Sequence, residues 1–379
     1  MDKILFVTND FGPRAGGIET FIIGLIERLP KNSVIVFTSS QGDTAAYDLA
    51  WQRDFGVRVW RDKSKVLLPL PRIARAVSRI ARENSVKTLC FGAAAPLGLL
   101  ASTLRRAGIT RIIALTHGHE VWWAKIFPFS WAIRRIGTTV DALTYLGDFT
   151  QQAIAKALPQ NVQRAMVKMA PGIDVAHFSP EINSAVLRHE LGLTDKAVII
   201  CVGRLVHRKG QDRLIEALPQ IQKAVPNVHL LLVGQGPYRR SLEKIAKQAG
   251  VLPNITFIGR VPYEQLPIYF RVGDVFAMPS RSRLAGLEVE GLGIVYLEAS
   301  ACGLPVIAGN SGGAPDAVLE NKTGFVVNGN NLDSIAEAAI TLLSNPELAI
   351  AMGSAGRDWI VKEWSWNLWA AEFAKALEI

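Results

Sequence analysis

Cysteine is scarce in these 379 residues: Cys90, Cys201 and Cys302 lie far apart, each inside an apolar stretch. That excludes a disulfide framework and a cysteine metal site, and it makes a reducing cytoplasm the expected setting. Long hydrophobic runs are missing too. No uncharged one exceeds the 17 residues of Thr88 to Leu104, short of the roughly 20 that span a bilayer. Gly92 and Pro96 break it into a strand and a buried helix. The opening MDKILFVTND stops being apolar at Asp10, which predicts a buried first strand and not a signal peptide. No Asp-x-Asp triplet is present to hold a metal-bound sugar nucleotide, so no metal and no cofactor are expected. In VGQGPYRR (233–240) Arg239 stands where a dinucleotide fingerprint needs its third glycine, so NAD is poorly supported. Internal repeats and low-complexity segments are lacking.

Acidic residues are short in one half only. Residues 1–170 carry 23 Lys and Arg against 12 Asp and Glu, while the remainder carries 19 against 21. The net charge of +9 therefore belongs to the N-terminal half, which points to an anionic partner there. Two stretches concentrate it. RDKSKVLLPLPRIARAVSRIAR (61–82) holds Lys63 and Lys65, then Leu67, Leu68 and Leu70, then Arg72, Arg75, Arg79 and Arg82 at helical spacing. EVWWAKIFPFSWAIRRIG (120–137) sets Trp122, Trp123, Phe127, Phe129 and Trp131 beside Lys125, Arg134 and Arg135. Both suit an anionic membrane surface. Core aromatics and a solvated basic helix are the plainer reading. No nucleic-acid-reading motif accompanies the charge.

Short β-branched runs alternate with amphipathic ones along the chain. KILFVTN, SVIVFTSS, VKTLCFG, RIIALTHG and VDALTYL read as strands. After MAPGIDVAHFSP the alternation restarts with AVIICVGRL, VHLLLVGQG, ITFIGRV, DVFAMPS and PVIAG. This predicts an α/β protein of two Rossmann-like, doubly wound parallel-sheet domains facing across a cleft. Residues 1–170 and 171–355 form the two domains, and a C-terminal helix over 356–379 returns to the first. Ligands of such sheets bind beyond the C-terminal strand ends, where the candidate motifs fall.

EGLGIVYLE (290–298) puts two glutamates eight apart. In one continuous helix they would diverge by roughly 80°, and Gly291 and Gly293 favour a loop. The spacing predicts a loop carrying Glu290, then a helix from about Ile294 with Glu298 one turn in. Free N–H groups there suit an anionic ligand flanked by hydroxyls. DFGPRAGGIET (10–20) follows the first strand, and Gly16 and Gly17 let backbone N–H groups approach a phosphate; a tight turn is the alternative. In THGHE (116–120), after the fourth strand, His117 is the better candidate, with His119 and Glu120 supporting the loop. A zinc site lacks a third ligand. In GRLVHRKGQD (203–212), Arg204 and Lys209 suit phosphate oxygens, against the alternative of an exposed basic loop.

Together these motifs resemble the retaining GT-B glycosyltransferases of family 4 over nearly the whole chain. VTNDFGPRAGGIE, FGAAAPL, THGHE, RLVHRKGQD, VEGLGIVYLEA and VIAGNSGGAP are most similar to the actinobacterial PimB-type phosphatidylinositol mannosyltransferases. RSRLAGLEVE departs from that group's glycine-rich loop at Leu284 and Glu288. The resemblance implies GDP-mannose as donor, a phosphoinositide glycolipid acceptor, and a peripheral place on the inner face of the plasma membrane. It implies that Glu290 and the backbone of Gly291, Leu292, Gly293 and Ile294 grip sugar and diphosphate. Glu298 takes the ribose, the backbone near Arg260 and Val261 meets the base, and Arg204, Lys209 and the Gly17 N–H face the diphosphate. His117 aligns the donor sugar. A family-4 enzyme with a soluble acceptor, such as an inositol phosphate, and a non-catalytic sugar-nucleotide-binding protein are the alternatives.

Overall fold

The computed structural model describes residues 3–14 and 16–378. Contacts divide the chain into two compact units, one running to Gly172 and regaining the segment from Trp366, the other Ile173–Ser365. Each is built on one parallel sheet with helices between successive strands. In the first unit the strands are β1 (Ile4–Thr8), β2 (Val34–Thr38), β3 (Arg58–Arg61), β4 (Thr88–Phe91), β5 (Arg111–Ala114), β6 (Ala142–Tyr145) and β7 (Val167–Lys168). They lie in the order β3-β2-β1-β4-β5-β6-β7. The second holds β8 (Ala197–Val202), β9 (Val228–Val233), β10 (Ile255–Gly259), β11 (Val275–Met278), β12 (Val306–Gly309) and β13 (Gly324–Val327). Their order is β10-β9-β8-β11-β12-β13. Strands such as Ile4–Thr8 and Val275–Met278 are buried at every position, as sheets covered on both faces require.

Both orders reverse direction beside the first strand of their unit, between β1 and β4 and between β8 and β11. At such a switch point the loops leaving the two strands diverge and open a ligand crevice. The expected strands are all present, and three more join them. β3 (RVWR) carries two arginines, β7 has two residues, and β13 opens on a glycine, so none gives an apolar run. Because of β3, the THGHE segment follows the fifth strand in chain order, not the fourth.

The single closing helix expected over 356–379 is two helices, Pro346–Glu363 and Trp366–Leu377. Between them the Ile173 N–H donates to Trp364 O at 2.7 Å, and Ser365 bridges to Ile173. That pairing holds the backbone extended, and a helix cannot run through it. The second helix belongs to the first unit, where Gly24 is needed because a Cβ would strike the Trp366 ring.

Candidate functional site

In the second unit, the loops after β8 and β11 meet around one glutamate. β8 leads into a short 3-10 turn, His207–Lys209, ending at Gly210 with φ +75. A Cβ at Gly210 would lie 2.0 Å from Pro279 O, so only glycine lets the turn sit this close to the β11 loop. Lys209 is buried, and its Nζ lies 2.8 Å from Glu290 Oε2. Arg208 Nη1 reaches the same oxygen at 2.7 Å. Burial alone would raise the Glu290 pKa, but Lys209 and Arg208 outweigh it and hold the carboxyl below its usual range. Glu290 stays ionised here, with one oxygen taken by two cations.

The chain beyond Glu290 runs as expected: loop, then helix Ile294–Ala301. Gly293 caps it at φ +81, and a Cβ there would strike the Tyr296 ring. A second glycine loop, Ser311–Gly313, lies against the first. Gly313 N–H donates to Glu290 O at 2.8 Å, and Glu290 N–H faces Ser311 Oγ at 3.3 Å. A Cβ at Gly312 would sit 2.2 Å from Glu290 O. Leu292 is buried, and Gly291 and Ile294 remain partly open. Glu298 is 6% exposed. Burial pushes its carboxyl up to about 7, with Lys209 pulling the other way. The two glutamates of this element thus have opposite electrostatics. Glu290 is a paired anion, and Glu298 is poised to titrate near neutrality.

The other predicted residues of this unit lie at the strand ends. Arg204 is exposed, and among the described residues its side chain forms no hydrogen bond or ion pair, which leaves the guanidinium free for a ligand. Arg260 is exposed and Val261 half-buried just past β10. That strand is three places from β11, roughly 14 Å across the sheet.

The first unit carries its own group. Gly16 and Gly17 open the helix Gly17–Glu27 after β1. Nothing lies within 4 Å of a Cβ built at Gly17, whereas one at Gly16 would strike the Glu19 carboxylate. Packing therefore does not demand glycine at 17, and the open space there suits the close approach of a ligand. Glu19 and Asp10 add negative charge beside that loop, and burial followed by Glu19 raises the Asp10 pKa. His117 Nε2 packs against Gly92 O, and its backbone N–H donates to Glu120 Oε2 at 2.9 Å. Nε2 thus carries the proton and Nδ1 is left as acceptor. Burial lowers the His117 pKa, so the ring is neutral. His119 Nε2 lies 3.2 Å from buried Glu120, which fits the supporting role expected of both.

The helix Pro71–Glu83 buries Ile73, Ala74, Val77 and Ile80 and turns Arg72, Arg75, Arg79 and Arg82 outward. With Thr103 and Arg106 these arginines line a groove of about 930 Å³. Arg72 is partly neutralised, as Nη1 pairs with Asp62 at 2.9 Å. Lys63 and Lys65 are exposed beside Val66, Leu68 and Leu70, while Leu67 points into the core. Trp122 and Trp123 are half-buried and clasp Phe129, each 4.9 Å away between ring centroids. Trp123 also packs against the core of the unit. The exposed aromatics of that segment are instead Phe127 and Trp131, at 80% and 57%. The helix breaks after Lys125 and restarts at Phe129, and this break turns Phe127 out.

Arg208, Ser311 and Gly312 were not among the residues expected at the site. The His-Arg-Lys run and the Gly-Gly pair after PVIAG were their only sequence signals. Among the described residues, no group of three or more His, Cys, Asp or Glu side chains could hold a metal ion.

The class follows from the fold. Two solved structures share it along their full length. Anabaena HepE in complex with UDP has a TM-score of 0.83 at 20% identity and 99% coverage of both chains. Sucrose-phosphate synthase of Thermosynechococcus elongatus has 0.79 at 22%, covering 100% and 98%. The architecture is the GT-B fold of glycosyltransferases. Sequence comparison narrows it. The model "Glycosyltransferase Family 4" matches residues 15–177, and "Glycosyl transferases group 1" matches 184–359. The GDP-mannose-dependent alpha-(1-6)-phosphatidylinositol monomannoside mannosyltransferase of Mycolicibacterium smegmatis is 44% identical over 99% of this chain and 98% of its own. The Corynebacterium glutamicum enzyme, specified as using monoacylated acceptor, is 42% identical over 99% and 98%. The chain belongs to glycosyltransferase family 4.

Proposed function

We propose that the chain is a retaining mannosyltransferase that moves α-mannose from GDP-mannose to a phosphatidylinositol monomannoside at a membrane. The observation that carries this is the ion-paired Glu290 on its glycine loop, set at the switch point where a nucleotide sugar binds. Full-length identity to the mannosyltransferases supports the donor and acceptor. Glu290 accepts sugar hydroxyls, and the N–H groups opening the helix at Ile294 meet the diphosphate. Lys209, Arg208 and Arg204 stabilise charge on the leaving phosphate oxygens, which is where prepositioned cations act most strongly. Lys209 and Arg208 bind one Glu290 oxygen, so that carboxylate is a poor nucleophile. The acceptor hydroxyl instead attacks on the face the diphosphate leaves, and the departing phosphate takes its proton. His117 Nδ1 accepts from a sugar hydroxyl.

The test is transfer of label from GDP-mannose, UDP-glucose and UDP-N-acetylglucosamine to a lipid extract, in excess EDTA. Label is expected in the organic phase from GDP-mannose alone, as the likeness to GDP-mannose-dependent enzymes implies, and in spite of EDTA, because cations of the chain stand in for a metal. Label only in water-soluble product favours a soluble acceptor, and a rate restored by Mg²⁺ overturns metal independence.

Lys63, Lys65, Arg75, Arg79 and the exposed Val66, Leu68 and Leu70 dock the first unit on anionic lipid, with Phe127 and Trp131 as anchors in place of Trp122 and Trp123. Each basic side chain near such a surface contributes about 1 kcal/mol. Co-sedimentation with vesicles therefore rises with anionic lipid, falls with salt, and weakens when Arg75 and Arg79 become Gln. Equal binding to neutral vesicles rejects this docking.

A further inference from the structure

Among the described residues Arg281 is the only arginine whose side chain is buried, at 4% exposed. Burying a guanidinium is costly unless every donor finds a partner. Arg281 Nη1 and Nη2 donate to the two oxygens of Asp212 at 2.8 and 2.6 Å. Nη2 also donates to His207 Nδ1 at 2.7 Å, and the Arg281 backbone N–H donates to Arg208 O at 2.9 Å. Asp212 stands in the first turn of the helix Gln211–Ala224. Arg281 thus grips both flanks and the middle of the His207–Lys209 turn, yet it makes no contact with Glu290. The turn's own side chains, Arg208 and Lys209, make that contact.

We propose that Arg281 is a positioning residue, which through Asp212 and His207 fixes the turn that presents Lys209 and Arg208 to the departing diphosphate. This rests on the transfer reaction above. A planar fork suits the task, since it bonds two oxygens and a ring nitrogen in set directions, which a lysine ammonium cannot reproduce. The contact also requires neutral His207, because Nδ1 must accept. The groups facing the ring are Arg281, Asp212 and Arg283, with Tyr238 packed 5.1 Å away between ring centroids. Burial, then Arg281, lower the His207 pKa from 6.5. Protonation below that value sets a cation against Arg281 and opens the grip. Asp212 and Glu290, both shifted below 3.8 and 4.5, do not titrate in that range, and Glu298, at about 7, is held ionised by saturating donor on its proposed ribose contact.

Arg281→Lys is expected to lower kcat about 10²-fold, as a small misplacement of catalytic groups does, with the donor KM changed less than about threefold. His207→Asn puts a neutral acceptor where Nδ1 sits. It is expected to abolish the loss of kcat that the parent shows at saturating donor as pH falls below 6.5. Thermal melting and GDP titration check that each variant folds and binds. Wild-type kcat in folded Arg281→Lys overturns the proposal. If that variant fails to fold, an acid limb unchanged in His207→Asn overturns it. An unaltered chain that transfers from no nucleotide sugar defeats the transfer reading first, before any substitution is compared.

Discussion

Lys209→Met is expected to lower kcat about 10²–10³-fold, the range for removing one prepositioned donor from developing charge, while the donor KM moves by less than about tenfold. Charge accumulates on the diphosphate oxygens only as the glycosidic bond breaks, so the lost interaction belongs to the transition state and appears in kcat. The substitution also strips a cation from Glu290, buried and 2.8 Å away. Breaking a buried pair from one side costs about 3–5 kcal/mol. Arg208, still 2.7 Å from the same oxygen, recovers part of this. The melting temperature therefore falls in Lys209→Met and recovers when Glu290→Gln is added, whereas turnover does not recover. Steady-state kinetics and thermal melts of the single and double variants check both halves. A Lys209→Met enzyme that keeps kcat would assign the diphosphate to Arg204, which stands free at the end of β8.

Much of this site was readable from residue types alone. Two glycines around Leu292 forced the loop, and the structure explains them: Gly293 needs its φ of +81 and has no room for a Cβ. The helix start at Ile294 and the place of Glu298 one turn into it followed, whereas the burial of Glu298 did not. Which cation of a basic turn faces inward was not readable. Arg204, Arg208 and Lys209 lie within six residues, and a 3-10 turn rotates successive side chains by about 120°. Only the β11 loop, far off in sequence, selects Arg208 and Lys209. The aromatic segment behaved alike. Trp122 and Trp123 read as interfacial by type, but Phe129 clasps both and leaves Phe127 outside. Leu67, read as part of the exposed apolar group, turns inward and its neighbour Val66 outward, for the period-2 reason that neighbours in an extended stretch face opposite ways. Short strands were lost for want of pattern: β3 has charge at both ends, and β7 is too brief to show a period.

Glu298→Gln is expected to weaken GDP binding and at the same time to stabilise the empty protein at pH 8. The folded carboxyl titrates near 7, against 4.5 for the ordinary group. Between those values the folded chain holds a proton that the unfolded chain has released. The stabilisation contributed by Glu298 is therefore full below pH 4.5 and is lost as pH rises through 7, by about 3 kcal/mol for a shift of this size. Glutamine removes that penalty, so the variant melts higher than the parent at pH 8 and the gap closes towards pH 5. GDP reverses the order. On the proposed contact ribose hydroxyls donate to the ionised carboxylate, and hydrogen bonds to a charged group contribute about 1.5–3 kcal/mol, so the variant is expected to bind GDP about 10–100-fold more weakly at pH 8. In the parent, binding must expel the proton below pH 7, and affinity falls about 30-fold between pH 8 and 5.5. In the variant it stays flat. Calorimetric titration of GDP at three pH values, beside melts with and without GDP, separates these outcomes. Equal and pH-independent affinities would show that Glu298 does not meet the ribose, and a stability gain without an affinity loss would make it a buried acid with no part in binding.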